Sequence, residues 1–321
     1  MSTPTFPRQR PLPKLRQLSY LIALDARRHF GRAAEDCLVT QSTLSAGIQE
    51  LETLLGATLV ERTKRRVLMT PLGEEVVARA RDLLRAAEDI VDLVESRQPP
   101  LSGRLALGAI PTIGPYVLPK ALPALHQRYP HLQLFLREDQ TDRLLAQLRS
   151  GDLDLALIAL PFDTGDLETM ILADDGLVVV CPRGHAFAGR DSVDEDELGG
   201  ADLLMLEDGH CLRDHALTAC RLGAGRGNEV FQATGMNTLL QMVAAGMGIT
   251  LVPRLAEAYE RERGEGLAFV PLAGDPTARQ IALAWRRNAV RTRDFRLLGE
   301  ALAPFLAPRE GDRKGKGGKV A

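Results

Sequence analysis

The sequence predicts an α/β protein in two parts: a small helical head with one long helix, then a larger body in which strands and helices alternate. Three observations carry this. Apolar residues recur at helical spacing up to about residue 96 and fall into short strand-like runs after it. Gln98-Pro99-Pro100 separates the two patterns as a linker. Charge is also divided: residues 1–72 hold 11 Lys and Arg against 6 Asp and Glu, and the rest hold 29 against 36, although the net charge is only −2. A basic module on an acidic one fits a nucleic-acid-binding head on a soluble body.

Residues 1–13, rich in Pro and Arg with no apolar core, read as a disordered extension and not as a secretory signal. The head spans 14–70. Leu15, Leu18 and Ile22 mark its first helix, 32–38 its second, and Thr40 caps a third with Leu44, Ile48, Leu51 and Leu55 as its buried stripe. Residues 59–70 are β-like and carry Arg62, Lys64, Arg65 and Arg66. A linker helix fills 71–98, starting at Pro71, with Leu72, Val76, Ala80, Leu83, Ala87, Ile90 and Val94 as a coiled-coil-like seam. One helix buries such a seam poorly, so a homodimer is expected.

The body covers 99–308. Strands are expected at 103–110, 133–137, 153–160, 177–181, 203–206, 230–232, 249–252 and 281–285, with helices at 117–128, 141–149 and 236–245, in a parallel layout. Residues 309–321, rich in Gly and Lys, read as a disordered tail. No apolar run approaches the ~18 residues of a membrane span. Four cysteines are too few for a disulfide scaffold in 321 residues, so a cytoplasmic protein with reduced thiols is expected.

Three short helices, the third opening on small polar residues, match a helix-turn-helix. Its third helix enters the major groove by its N-terminal end. There Gln41 reaches adenine, while Ser42, Thr43 and Ser45 reach base edges or phosphate. Arg62, Lys64, Arg65 and Arg66 then form a wing on the DNA backbone. A plain three-helix cap with a solvated basic loop fits the periodicity equally well. The dimer helix directly after the wing favours DNA, because paired heads match paired half-sites, and a resemblance makes this specific. Phe30-Gly31-Arg32-Ala33-Ala34-Glu35, Thr40-Gln41-Ser42-Thr43-Leu44-Ser45, Leu51-Glu52, Leu55-Gly56 and Leu59-Val60-Glu61-Arg62 resemble the head of LysR-type transcriptional regulators. That resemblance implies a winged helix-turn-helix, a long linker helix and a two-lobed, periplasmic-binding-protein-like α/β effector domain.

Residues 203–220 hold two cysteines. Asp208-Gly209 is a turn, and Cys211 sits near the N-terminus of a helix beside His210 and Arg213, a position that favours thiolate. A thiolate attacks a peroxide oxygen to give a sulfenic acid. Cys220 lies nine residues on. In a helix that is ~13.5 Å of rise, and a disulfide needs Cα atoms within ~7 Å, so pairing requires the helix to unwind. Two other readings stay open on these residues alone. His210, Cys211, His215 and Cys220 could bind zinc, without a Cys-x-x-Cys knuckle, or the thiols are unrelated.

The same segment, with 109–116, Gln140-Thr141, Leu144-Leu145-Ala146-Gln147-Leu148 and Val243-Ala244-Ala245-Gly246, is similar to the peroxide-sensing LysR-type regulators from about Leu15 to Leu306. The similarity implies that Cys211 is the peroxidatic cysteine and Cys220 the resolving one. It implies that Thr112, Thr141 and His210 line the peroxide pocket, with Arg279 close by. It further implies a regulator and not an enzyme, with no cofactor or metal. Implied partners are double-stranded DNA half-sites, hydrogen peroxide, RNA polymerase, a thiol reductant such as glutaredoxin or thioredoxin, and other copies of the chain as a dimer of dimers. A metabolite sensor with Thr112 and Thr141 holding a carboxylate, and a thiol peroxidase, are the rival readings. Cys37 is expected in the head core, and Cys181 at a strand end without a redox role.

Overall fold

The computed structural model describes residues 11–62, 67–95, 99–199, 201–219, 232–273, 279–287 and 289–306. Cys220, Lys64, Arg65, Arg66, most of the expected extension and the whole expected tail lie outside them. The chain forms two compact units, one ending at Val94 and one beginning at Glu95.

The first unit opens with helices α1 (Leu15–Arg27), α2 (Phe30–Asp36) and α3 (Gln41–Leu55). Leu18, Tyr20, Leu21 and Leu24 of α1, Ala33 and Ala34 of α2, and Leu44, Ile48 and Leu51 of α3 make its core. Two expected stripe residues fall outside: Leu15 and Leu55 are exposed, because each lies at a helix end beyond the neighbouring elements. Gly47 lets α1 approach α3, since a Cβ there would meet the Tyr20 ring at 2.7 Å. Thr40 caps α3, its Oγ1 accepting from the Thr43 amide at 3.2 Å. Strands β1 (Val60–Arg62) and β2 (Val67–Met69) pair antiparallel as the frame of a wing. Helix α4 (Pro71–Glu95) follows. Its first turns belong to the head: Val77 and Ala80 are buried there, and Arg81 bonds Asp25 at 3.1 Å. Of the expected seam, Leu72, Leu83 and Ile90 are exposed in the single chain.

The second unit runs β3 (Gly103–Ala109), α5 (Gly114–Arg128), β4 (Leu132–Glu138), α6 (Thr141–Ser150), β5 (Leu155–Leu160), β6 (Leu167–Asp175), β7 (Leu177–Pro182), α7 (Glu195–Leu198), β8 (Met205–Leu206), α8 (Cys211–Ala219), β9 (Gln232–Ala233), α9 (Met236–Ala244), β10 (Thr250–Pro253), α10 (Arg254–Arg263), β11 (Leu267–Pro271), β12 (Arg279–Arg286) and α11 (Thr292–Leu302). It has two lobes, each with its own apolar core. The first is a five-stranded sheet ordered β4-β3-β5-β12-β6, and the second holds the antiparallel sheet β10-β7-β11 and the parallel pair β8-β9. The chain leaves the first lobe at Asp175 and enters the second at Leu177, and β12 brings it back.

The expected parallel layout is only partly present. β3 runs parallel to β4 and β5, whereas β12 is antiparallel to β5 and β6. A strand that returns from another lobe needs no helical crossover, so it enters the sheet from either end. Strands β6 and β11 and helices α7, α10 and α11 were not expected from the pattern.

Candidate redox site between the lobes

Strand register builds the base of the site. Arg279, the first residue of β12, stands opposite Asp175, the last residue of β6. The Arg279 guanidinium is fully buried. It donates from Nε and Nη2 to Asp175 Oδ2 at 2.9 and 2.7 Å. It also donates from Nη1 to Thr112 Oγ1 at 2.9 Å and from Nη2 to the Thr112 carbonyl at 3.3 Å. The other Asp175 oxygen accepts from the Leu255 amide at 2.9 Å, at the start of α10. Thr112 follows β3 and is buried. Because its oxygen accepts from Arg279, its own hydroxyl proton is left to donate elsewhere.

Helix α8 brings the thiol to this base. Gly209 turns the chain at φ +94°, and a Cβ there would meet Gln140 Oε1 at 2.9 Å. The loop before α8 therefore packs against the residue that precedes α6. Cys211 is the first residue of α8 and is buried. Its side chain lies in the apolar core of the first lobe, whereas the next residue, Leu212, lies in the core of the second. Thr141 is the first residue of α6, not its cap; Gln140 holds that position. The Thr141 hydroxyl is buried without a well-formed hydrogen bond among the described residues, yet it is close enough to the Cys211 sulfur to favour the thiolate.

The electrostatics differ from the expectation. Burial pushes the Cys211 thiol up, and this outweighs Arg279, Thr141 and the helix-end amide, all of which pull it down. The cation that acts on the sulfur is Arg279, not the sequence neighbour Arg213. Arg213 turns away, to Asp208 at 3.0 Å and the Leu206 carbonyl at 3.4 Å. His210 is buried, with Nε2 3.9 Å from Glu207 Oε1. His215, one helical turn past Cys211, was named in the sequence only as a possible zinc ligand. It is buried, with Nε2 3.1 Å from the Pro161 carbonyl and Nδ1 without a partner among the described residues. Among those residues no cluster of three or more His, Cys, Asp or Glu is placed to hold a metal ion.

Arg279, Thr112, Thr141 and Cys211 thus come together, and His210 precedes the thiol. Cys181 is buried in β7 within the second core, and burial raises its thiol too. Cys37 ends α2, half-buried against the head core. In the head, Gln41, Ser42 and Thr43 are exposed at the start of α3, and Ser45 is half-buried. The Ser42 and Thr43 hydroxyls lie 2.9 and 2.8 Å from Thr40 Oγ1. Arg62 ends β1, and its side chain, like Lys64, Arg65 and Arg66, is outside what the structure describes.

A helix-turn-helix head with a two-stranded wing, and a two-lobed α/β body with a buried polar site between the lobes, define a DNA-binding regulator with a sensing domain. Residues 15–74 match the bacterial regulatory helix-turn-helix protein, lysR family, and residues 98–307 match the LysR substrate binding domain. The chain belongs to the LysR family of transcriptional regulators. It is 41% identical over 297 residues to the HTH-type transcriptional regulator EstR of Acinetobacter baylyi, covering 92% of this chain and 98% of that one. It is 42% identical over 288 residues to the hydrogen peroxide-inducible genes activator of Escherichia coli O6:H1, covering 90% and 94%. A full-length OxyR variant from Pseudomonas aeruginosa superposes with a TM-score of 0.73 at 36% identity, covering 91% of this chain and 98% of that one.

Proposed function

We propose that this regulator senses hydrogen peroxide through Cys211, with Cys220 as the resolving thiol, and answers by changing how its heads engage DNA. The observation that carries the reading is the Cys211 thiol at the start of α8, buried between the lobes beside Thr141 and the Arg279–Asp175–Thr112 network. The name of the Escherichia coli relative supports it.

The Cys211 thiolate attacks one peroxide oxygen, the O–O bond breaks, and sulfenic acid and hydroxide form. Thr112 donates to the peroxide, Thr141 favours the thiolate, and Arg279 supplies the positive field in which the departing oxygen gains charge. His210 lines the pocket beside the thiol. The Cys220 thiol then attacks the sulfenic sulfur, and water leaves as the disulfide forms. From Cys211 to Ala219 α8 rises about 12 Å. That exceeds the ~7 Å disulfide span plus one ~3.8 Å step of chain, so α8 must open before the bond closes. A cytoplasmic dithiol reductant of the glutaredoxin or thioredoxin type resets the switch, in a reaction stoichiometric in protein and not a turnover.

Gln41, Ser42, Thr43 and Ser45 enter the major groove, and Arg62, Lys64, Arg65 and Arg66 hold the backbone. The exposed apolar residues of α4 pair with those of a second copy, and two such dimers span the half-sites and present a surface to RNA polymerase.

The test is peptide mapping of disulfides in the full-length protein before and after one equivalent of peroxide. A Cys211–Cys220 peptide, absent from a Cys211→Ser variant, is expected. Unchanged thiols overturn the reading and leave a metabolite as the ligand of the crevice, and a disulfide that persists in Cys220→Ser overturns the assignment of Cys220 as the resolving thiol.

A further inference from the structure

We propose that His215 is a positioning residue for Cys211: through Nε2 it ties α8 to the Pro161 carbonyl across the lobes, and the seating of α8 weakens when this enclosed imidazole gains a proton. What the tie regulates rests on the peroxide reading of Cys211, but the tie itself does not.

The geometry fixes the protons. A carbonyl oxygen only accepts, so Nε2, at 3.1 Å from it, must carry hydrogen. In the neutral ring Nδ1 is then a bare lone pair, and it is buried without a partner among the described residues. α8 belongs to the second lobe, whereas Pro161 follows β5 in the first. The bond therefore pins α8 across the lobe boundary one turn from Cys211, on the same side of the helix.

Protonation at Nδ1 would place a donor and a positive charge in this enclosed position. The charged groups that act on it are Arg279 of β12, Asp175 of β6 and Asp214 of α8 itself, and the titratable residue one turn back on the same side of the helix is Cys211. Arg279 repels the proton. Asp175 attracts it but already serves two guanidinium N–H groups and the Leu255 amide, and Asp214 is exposed. Burial is the largest effect and, with Arg279, holds the imidazole below its ordinary 6.5, against the opposing pull of the Pro161 carbonyl and both carboxylates. An opened α8 returns the ring to water. The open form therefore binds more protons, so the seating of α8 is complete above the ordinary value and is lost as pH falls below it.

The experiment is amide hydrogen exchange on the reduced full-length protein from about pH 8 to about pH 5, corrected for the pH dependence of chemical exchange. In the wild type, protection of the α8 amides is expected to hold down to about pH 7 and then fall several-fold, while β7 stays protected. His215→Gln keeps a donor for Pro161 but cannot titrate in this range, so its α8 should be protected and flat with pH. His215→Ala should be flat and about fivefold less protected throughout, the worth of one hydrogen bond. A flat wild type, a Gln variant that follows the wild-type decline, or an equal loss in β7 overturns the proposal. If His215→Ala does not fold, the wild-type and Gln curves decide alone. Absence of peroxide oxidation in every variant refutes the sensing reading and leaves the tie standing.

Discussion

Replacing Arg279 by Met tests the base of the site, because Met keeps an unbranched apolar stem but carries neither the charge nor the donors of the guanidinium. In the wild type four hydrogen bonds leave the guanidinium, two to Asp175 and two to Thr112. The Arg279→Met variant would leave Asp175 as a buried carboxylate with one remaining partner among the described residues, the Leu255 amide. Breaking a buried pair by removing one partner costs about 3–5 kcal/mol. In a domain of this size each kcal/mol lowers Tm by about 2–4 °C, so calorimetry of the reduced protein should show the second unit melting about 6–20 °C lower. The double variant Asp175→Leu with Arg279→Met removes the stranded charge and should regain most of that loss. Its Cys211 should nonetheless alkylate more slowly than wild type, because Arg279 is what draws the thiol toward ionisation. A single variant within about 1 kcal/mol of wild type would show the pair behaving as an exposed one and refute the reasoning. So would a double variant no more stable than the single.

Three other outcomes are expected. Gly209→Ala forces a Cβ into a left-handed turn at φ +94° and against Gln140, and should lower stability by about 1–2 kcal/mol in urea titration, whereas the same change at Gly184, where a Cβ meets nothing, should cost little. Leu83→Glu and Ile90→Glu, on the exposed seam of α4, should shift sedimentation toward the monomer while far-ultraviolet circular dichroism keeps the head helices. The buried Cys211 thiol is raised above 9.0 in the folded state, so its contribution to stability is complete below that pH and is lost as pH rises through the raised value. Urea midpoints of wild type and Cys211→Ser should accordingly run parallel to about pH 9 and converge above it.

Most of the head was legible because its signals are local. Thr40 as a cap and the Leu44–Ile48–Leu51 stripe follow from neighbouring residues, and only the helix ends misled. The body was less legible because its sheet order is set by long-range pairing. β6 is an edge strand whose burial alternates irregularly and whose end carries Asp174 and Asp175, so nothing local marks it as a partner of β12. At the site, Cys211 and its helix-terminal position could be read from the turn before it. Its cation could not be read from neighbouring residues, and only the family resemblance pointed to it. Arg213 is near in sequence but bonds Asp208, whereas Arg279 comes from the far end of the chain through the register of β12. His215 escaped for the same reason, since its partner is a backbone carbonyl that carries no sequence signal.

Cys211 and Leu212 lie in different cores, so on the proposed peroxide reading chemistry at one sulfur would move a helix. A reduced thiol behaves as a small apolar side chain and fits the first lobe. A sulfenic acid adds a hydroxyl to the same space, and Thr141 is the neighbour placed to answer it. Burying a polar group without adequate partners costs about 1–3 kcal/mol. On the peroxide reading proposed above, a sulfenic acid that Thr141 alone does not fully satisfy would be drawn toward water, and with it would go the anchor of the first turn of α8. A nine-residue helix is not stable in isolation and depends on that packing. If Cys211 leaves the first lobe, the bond from His215 to Pro161 is one tie of α8 that remains. Cys181 has no such leverage. It lies in β7 with β10 on one side and β11 on the other, wholly within one core, so its oxidation would strain that lobe without releasing any contact between the two.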